Sequence, residues 1–226
     1  MTHFEHELAV LKEKLLTMAS YAEEAVKDSV QALISRDYDL ARRVRESDGV
    51  IDRYEIELDE MAIQLLAKAP LASNLRMIAV VMKISQNLER VGDEASKIAN
   101  RARELSDEPP LKLKVEIPKM AEMAVQMLRG ALDSFVNSDP SSARALIPRD
   151  KEVDALNKKI YRELAEYMIG HPDTITRCLN LIIAAKSLER IADHATNVAE
   201  EVVYLCEAED IRHTGKGAKL RATVPE

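Results

Sequence analysis

The stretch "NLERVGDEASKIA" (residues 87–99) returns almost unchanged as "SLERIADHATNVA" (187–199), and each copy sets a glutamate four residues before an aspartate. The likeness continues upstream, where "SRDYDLARRVRESDGVID" (35–52) lies over "NSDPSSARALIPRDKEVD" (137–154) without a gap. Asp37 and Asp139, Asp48 and Asp150, Asp52 and Asp154, and Pro70 and Pro172 all stand 102 residues apart. After the prolines the second copy is two residues shorter, so Glu89 and Glu189, like Asp93 and Asp193, stand 100 apart. So regular an offset marks an internal duplication.

Composition says what each copy folds into. The 226 residues include only 6 Gly and 8 Pro, and aromatics make up 4%. The dominant residues, Leu, Ala, Glu, Arg, Lys and Met, lose little rotamer freedom in a helix, so the fold class is all-α. In the first segment Leu8, Leu11, Leu15, Met18, Ala22, Ala25, Ser29 and Leu33 keep a three-four rhythm, which predicts one helix from His3 to Ser35. A second is predicted from an Asp37 N-cap to about Lys68, stopped by Pro70, and a third from a cap at Ser73 or Asn74 to about Leu105. "SDEPPLKLKVEIP" reads as the one linker. Beyond it the plan repeats: a fourth helix over 118–137, a fifth from Asp139 to Ile169 with Pro140 in its first turn, and a sixth from an Asp173 cap to about Asp210. Pro148 should kink or split the fifth helix just before Asp150. The expected architecture is two tandem pseudo-symmetric three-helix bundles, 1–106 and 118–210, joined by a linker at 107–117 and followed by a disordered tail at 211–226.

Charge narrows the function classes. With 39 acidic and 32 basic residues the net charge is −7, which disfavours nucleic acid as a partner. The opening "MTHFEHELAVLKEKLL" carries no basic segment followed by an unbroken apolar run, so no signal peptide is expected. The most apolar segments are each interrupted by a lysine and fall short of the ~20 apolar residues that cross a bilayer. Cys178 and Cys206, neither in a CxxC pair, are expected to be buried, inert thiols in a reducing compartment. A cytoplasmic location follows as an expectation.

Residues i and i+4 share a helix face, and two carboxylates so placed repel by several tenths of a kcal/mol. Each copy does this twice: Asp48 with Asp52 and Glu89 with Asp93, then Asp150 with Asp154 and Glu189 with Asp193. Within each copy the pairs fall on antiparallel neighbours, so four carboxylates converge if the faces adjoin. A cation would relieve the repulsion, and an all-oxygen site suits Mg, Mn, Ca or iron. Solvated faces of charged helices are the plain alternative. In the second copy the stripe continues to Asn197, another oxygen donor, whereas the first has Lys97 there, expected to compete with a metal. His194, next to Asp193, points about 100° away and reads as a packing or capping histidine.

"LERVGDEA", "LERIADHA" and "APLASNLRMIAVVMKISQNLERVGD" resemble the PhoU family of phosphate-transport regulators, over about residues 3–210. The resemblance implies a fold of two PhoU-like three-helix bundles, and multinuclear iron or zinc clusters at the E/D-x-x-x-D motifs. The implied ligands are Glu89, Asp93, Glu189 and Asp193, with Asp48, Asp52, Asp150 and Asp154 as partners. It further implies a negative regulator of the phosphate-starvation response, linking the ATPase of the phosphate ABC transporter to a sensor histidine kinase. Such a protein meets the membrane only through its partners, and a homodimer is left open. Departures from pattern are Lys97, and Ala192 opposite Gly92; Arg76 in "NLRMI" fits a partner contact or a salt bridge equally.

Two other classes compete. A metal-free helical scaffold has the same fold without the metal. A carboxylate-bridged metal enzyme needs Glu-x-x-His on its helices, and no histidine here has a glutamate three residues before it. No G-x-x-x-x-G-K-[ST] loop and no G-x-S-x-G occur either. The chain is therefore expected not to be an enzyme.

Overall fold

Seven α-helices follow in order in a computed structural model that describes residues 3–69 and 71–212, and no strand occurs among them. They are α1 (His3–Ser35), α2 (Tyr38–Leu66), α3 (Ala72–Ser106), α4 (Ile117–Asn137), α5 (Pro140–Leu146), α6 (Asp150–Gly170) and α7 (Ile175–Glu207). The predicted fifth helix is divided as its proline demands: Ile147–Arg149 winds as a 3-10 turn between α5 and α6.

The ends are set by local chemistry. Asp37 caps α2 by accepting from Leu40 N–H, and Asp139 caps α5 by accepting from Ser141 and Ser142. Two caps differ from expectation. α3 begins one residue ahead of Ser73, behind an extended Leu71 whose carbonyl accepts from Asn74 and Leu75, and the Ser73 hydroxyl turns to Asn74 instead. Asp173 does not cap the last helix; it lies in a 3-10 turn, Pro172–Thr174, and accepts from Arg177. Pro70 lies outside the described residues, and α2 already ends at Leu66.

α1, α2 and α3 form one bundle and α4 to α7 the other, and the two meet through α3 against α7 and α1 against α4. The apolar faces merge into one core containing Leu11, Leu15, Met18, Ile84, Leu88, Met127, Leu128 and Ile160, all at most 1% exposed. Lys83 meets Glu201, Glu94 meets Arg190 and Arg101 meets Asn180, so α3 and α7 run antiparallel. An internal pseudo-twofold axis therefore crosses them near Gly92 and Ala192. The predicted linker is tied down: Leu111, Leu113 and Val115 pack on the core, and Arg177 donates to Pro109 O at 3.1 Å. Residues 213–226 of the predicted tail lie outside the described residues; Ile211 packs on the core and Arg212 pairs with Glu201 at 3.2 Å, so the tail's first two residues are held. No described helix is long and apolar enough to cross a membrane.

Candidate functional site

The acidic pairs of each repeat do face one another. In the second, Asp150 and Asp154 lie in the first turns of α6, directly after the Pro148 turn, and face Glu189 and Asp193 on α7. Burial raises the Asp193 pKa to about 6, and Asp150, Glu189 and Asp154 add repulsion. This carboxylate keeps a solvent-facing edge, so it is crowded rather than sealed. Asp150 is pushed up as well, by burial and then by Asp154 and Glu189. Its Oδ1 is buried with no donor in reach, and the Asp193 carboxyl beside it becomes a donor only by taking a proton.

The first repeat repeats the arrangement between α2 and α3. Burial raises Asp48, with Asp52 and Asp93 adding to it, and burial plus Asp93 raises Glu89. A fifth acid, Glu55, joins this cluster and is raised by burial and Asp59. Gly92 lets the helices close here: a Cβ on it would stand 2.8 Å from Ile51 Cδ1 and 3.5 Å from Asp48 Oδ1.

The cations are not where the sequence put them. Lys97 turns away from the first stripe to pair with Glu94 at 2.8 Å, while Arg90 bridges Glu89 at 3.2 Å and Asp93 at 3.4 Å. In the second repeat Lys186 pairs with Glu189. The signal for Arg90 was present in the duplicated "LER", read only for its glutamate. Asn197 leaves the acidic stripe as well: its Nδ2 donates to Asn87 Oδ1 at 3.3 Å across the bundle interface. His194 is a packing residue there, its Nδ1 2.9 Å from the same oxygen and its pKa lowered by burial. Arg76 donates to Leu205 O at 3.4 Å and lies over the Tyr204 ring, a contact between bundles. Cys178 is buried, but Cys206 is exposed, and partial burial still pushes its thiol up.

Between α3 and α7 an open cleft of about 530 Å³ sits on the pseudo-twofold axis, with Arg90, Lys97 and Arg190 facing Asp93, Glu94 and Asp193. Glu94, 4% exposed, is its centre, held by Lys97 and by Arg190 at 3.1 Å. Burial alone would raise its pKa; the hydrogen bonds from Lys97, Ser187 and Arg190 win and lower it.

As donors, the second cluster offers only oxygen and includes one orphaned buried carboxylate oxygen, which fits a hard or borderline cation. Among the described residues, however, no three His, Cys, Asp or Glu side chains are drawn into a metal-holding group. Rotation of the aspartates on α6 and α7 would be needed to assemble one.

The same duplication governs the comparisons with known proteins. The PhoU domain model matches residues 15–102 and again 117–202. The phosphate-specific transport system accessory protein PhoU homolog of Pseudomonas aeruginosa is 42% identical, over 94% of this chain and 88% of that protein. The Escherichia coli K12 accessory protein PhoU is 34% identical over the same shares. The crystal structure of PhoU from Pseudomonas aeruginosa superposes with a TM-score of 0.89, covering 92% of this chain and 100% of that one. The phosphate transport system regulatory protein PhoU of Streptococcus pneumoniae, 26% identical, gives 0.86 over 92% and 99%. With both repeats matched and the whole bundle pair superposed, this chain belongs to the PhoU family.

Proposed function

We propose that the chain is a regulatory accessory protein of phosphate transport that holds the phosphate-starvation response off when phosphate is abundant. The observation that carries this reading is likeness over more than nine-tenths of the chain to proteins named as accessory or regulatory in that system. It acts as a cytoplasmic adaptor, joining the ATPase of the phosphate ABC transporter to a sensor histidine kinase through helix faces, and it performs no catalysis. A strain lacking the chain should express starvation genes in high phosphate; normal repression in that strain would sink the reading.

The finer part is metal. Asp150, Asp154, Glu189 and Asp193 would hold an iron or zinc ion, with Mg or Mn as hard-ion alternatives, and Asp48, Asp52, Glu89 and Asp93 a second. Bound there, the ion supplies positive charge that fixes α6 to α7. Support comes from the crowded Asp193 and the orphaned Asp150 oxygen. Elemental analysis of untagged protein should find metal that Glu189→Gln with Asp193→Asn removes. A second reading, the metal-free scaffold, is favoured by Arg90 and Lys186, which already occupy the cation's place at each cluster. No metal after incubation with iron, zinc and manganese would establish it.

A further inference from the structure

The groove between α6 and α7 changes character beyond the second acidic cluster. The two helices leave an open cleft of about 580 Å³ there, lined by Asn157, Lys158, Tyr161, Arg162, Ile182 and Lys186. A cleft of this size suits a small organic ligand. Three of the six side chains are cations and none is an acid, in a chain of net charge −7. Successive columns of α6 set its layers: Leu156 and Ile160 lie in the core, Asn157 and Tyr161 come next, and Lys158 and Arg162 form the rim. The Tyr161 ring is 57% exposed, and Ile182 of α7 lines the same cleft half-buried.

Packing does not call for these residues. The first bundle builds the same helix pair with Glu55, Ile56, Asp59 and Glu60 at the positions of Asn157, Lys158, Tyr161 and Arg162, and with Met82 and Gln86 at those of Ile182 and Lys186. No cation stands at any of those six positions. Nor does the fold use the rim charges. Lys158 and Arg162, one helical turn apart, repel each other and enter no ion pair among the described residues, although Lys159 beside them does. Arg162 donates only through Nε, to Lys158 O at 3.4 Å. Of the three cations, Lys186 alone has a carboxylate partner, Glu189.

Unpaired positive charge beside an exposed aromatic ring is complementary to a ligand that is anionic at one end and flat and apolar at the other. Inorganic phosphate would engage the cations and leave Tyr161 and Ile182 in water. A nucleotide covers both: its base stacks on the tyrosine ring, and its phosphates accept charge-assisted hydrogen bonds. The Asn157 amide offers the base edge both a donor and an acceptor. We propose that the α6–α7 cleft binds a nucleoside polyphosphate, with the base on Tyr161 and Ile182 and the phosphates on Lys158, Arg162 and Lys186. The inference goes beyond the regulatory and metal readings and holds whether or not they do.

Calorimetric titration of the metal-free full chain with ATP, in low salt and with a chelator so that no ion holds the phosphates, should show a single site. Lys158→Gln with Arg162→Gln should weaken binding by about tenfold or more, whereas Arg42→Gln with Arg43→Gln on α2 should change it by less than about twofold. Tyr161→Ala should weaken ATP by about tenfold and leave inorganic triphosphate unchanged, while Tyr161→Phe should bind ATP as the wild type does. Circular dichroism should show every variant folded. No binding at millimolar ATP, or equal losses in the two double variants, would overturn the proposal. So would triphosphate binding as tightly as ATP, which makes the cleft a plain anion site, or displacement of ATP by vesicles of anionic phospholipid, which makes it a membrane contact.

Discussion

Asp193 shows how one side chain reads out its surroundings. With a pKa of about 6 against an ordinary 3.8, it takes up a proton in the folded protein at a pH where the unfolded chain stays ionised. The sign follows: between about pH 4 and 6 the native state binds more protons, so this group adds stability as pH falls and withdraws it as pH rises through 6. In metal-free protein, Asp193→Asn should raise the unfolding free energy measured by urea titration at pH 7.5 by several tenths of a kcal/mol, allowing for solvent screening at its exposed edge. The gain should shrink toward pH 4.5, which paired urea titrations of the two proteins at both pH values would check. A gain equal at both pH values would mean that the asparagine acts through packing.

Helix ends offer the next test. α7 closes on Ala208, held left-handed at φ 59°, where a Cβ is strained and glycine is at ease. Ala208→Gly should therefore stabilise the protein by about 1 kcal/mol, seen as a higher unfolding midpoint. At the other kind of end, Asp139 accepts three hydrogen bonds from Ser141 and Ser142, which hold its carboxyl below the usual range. Asp139→Ala should cost about 1 kcal/mol by leaving those amides uncapped. The broken fifth helix was legible because a proline's effect is local. The caps at Leu71 and Thr174 were not, since an extended residue or a 3-10 turn ahead of a helix is chosen by what the preceding chain must reach.

The two bundles are locked at their shared axis. Glu94 sits buried between Lys97 of its own helix and Arg190 of the opposite bundle. Arg190→Ala removes the charged partner that the other bundle supplies, leaving Ser187 as a neutral one, and the buried carboxylate under-compensated, at a cost of about 1–3 kcal/mol. Adding Glu94→Gln should recover part of that loss, because the charge that needed the arginine is gone. A double-mutant cycle in urea should thus show coupling of about 1 kcal/mol or more, and additive losses would mean that the pair does not hold the bundles. Lys97 was expected at Asp93 and is found here instead. Its i,i+3 neighbour Glu94 is buried and needs the charge more than a carboxylate that Arg90 already serves.

The all-α class, the duplication, the proline break and the four acidic pairs could all be read from the chain, because each depends on spacing along one helix axis. An i,i+4 pair is on one face wherever the helix is put. Whether two such faces meet, which cations reach them, and that Asn197 and His194 turn to Asn87 depend on the register between antiparallel helices far apart in sequence. So does the contact of Arg76 with the last helix. Spacing along a helix repeats every turn and fits many registers nearly equally; the packing of α3 on α7 around Gly92 and Ala192 admits one.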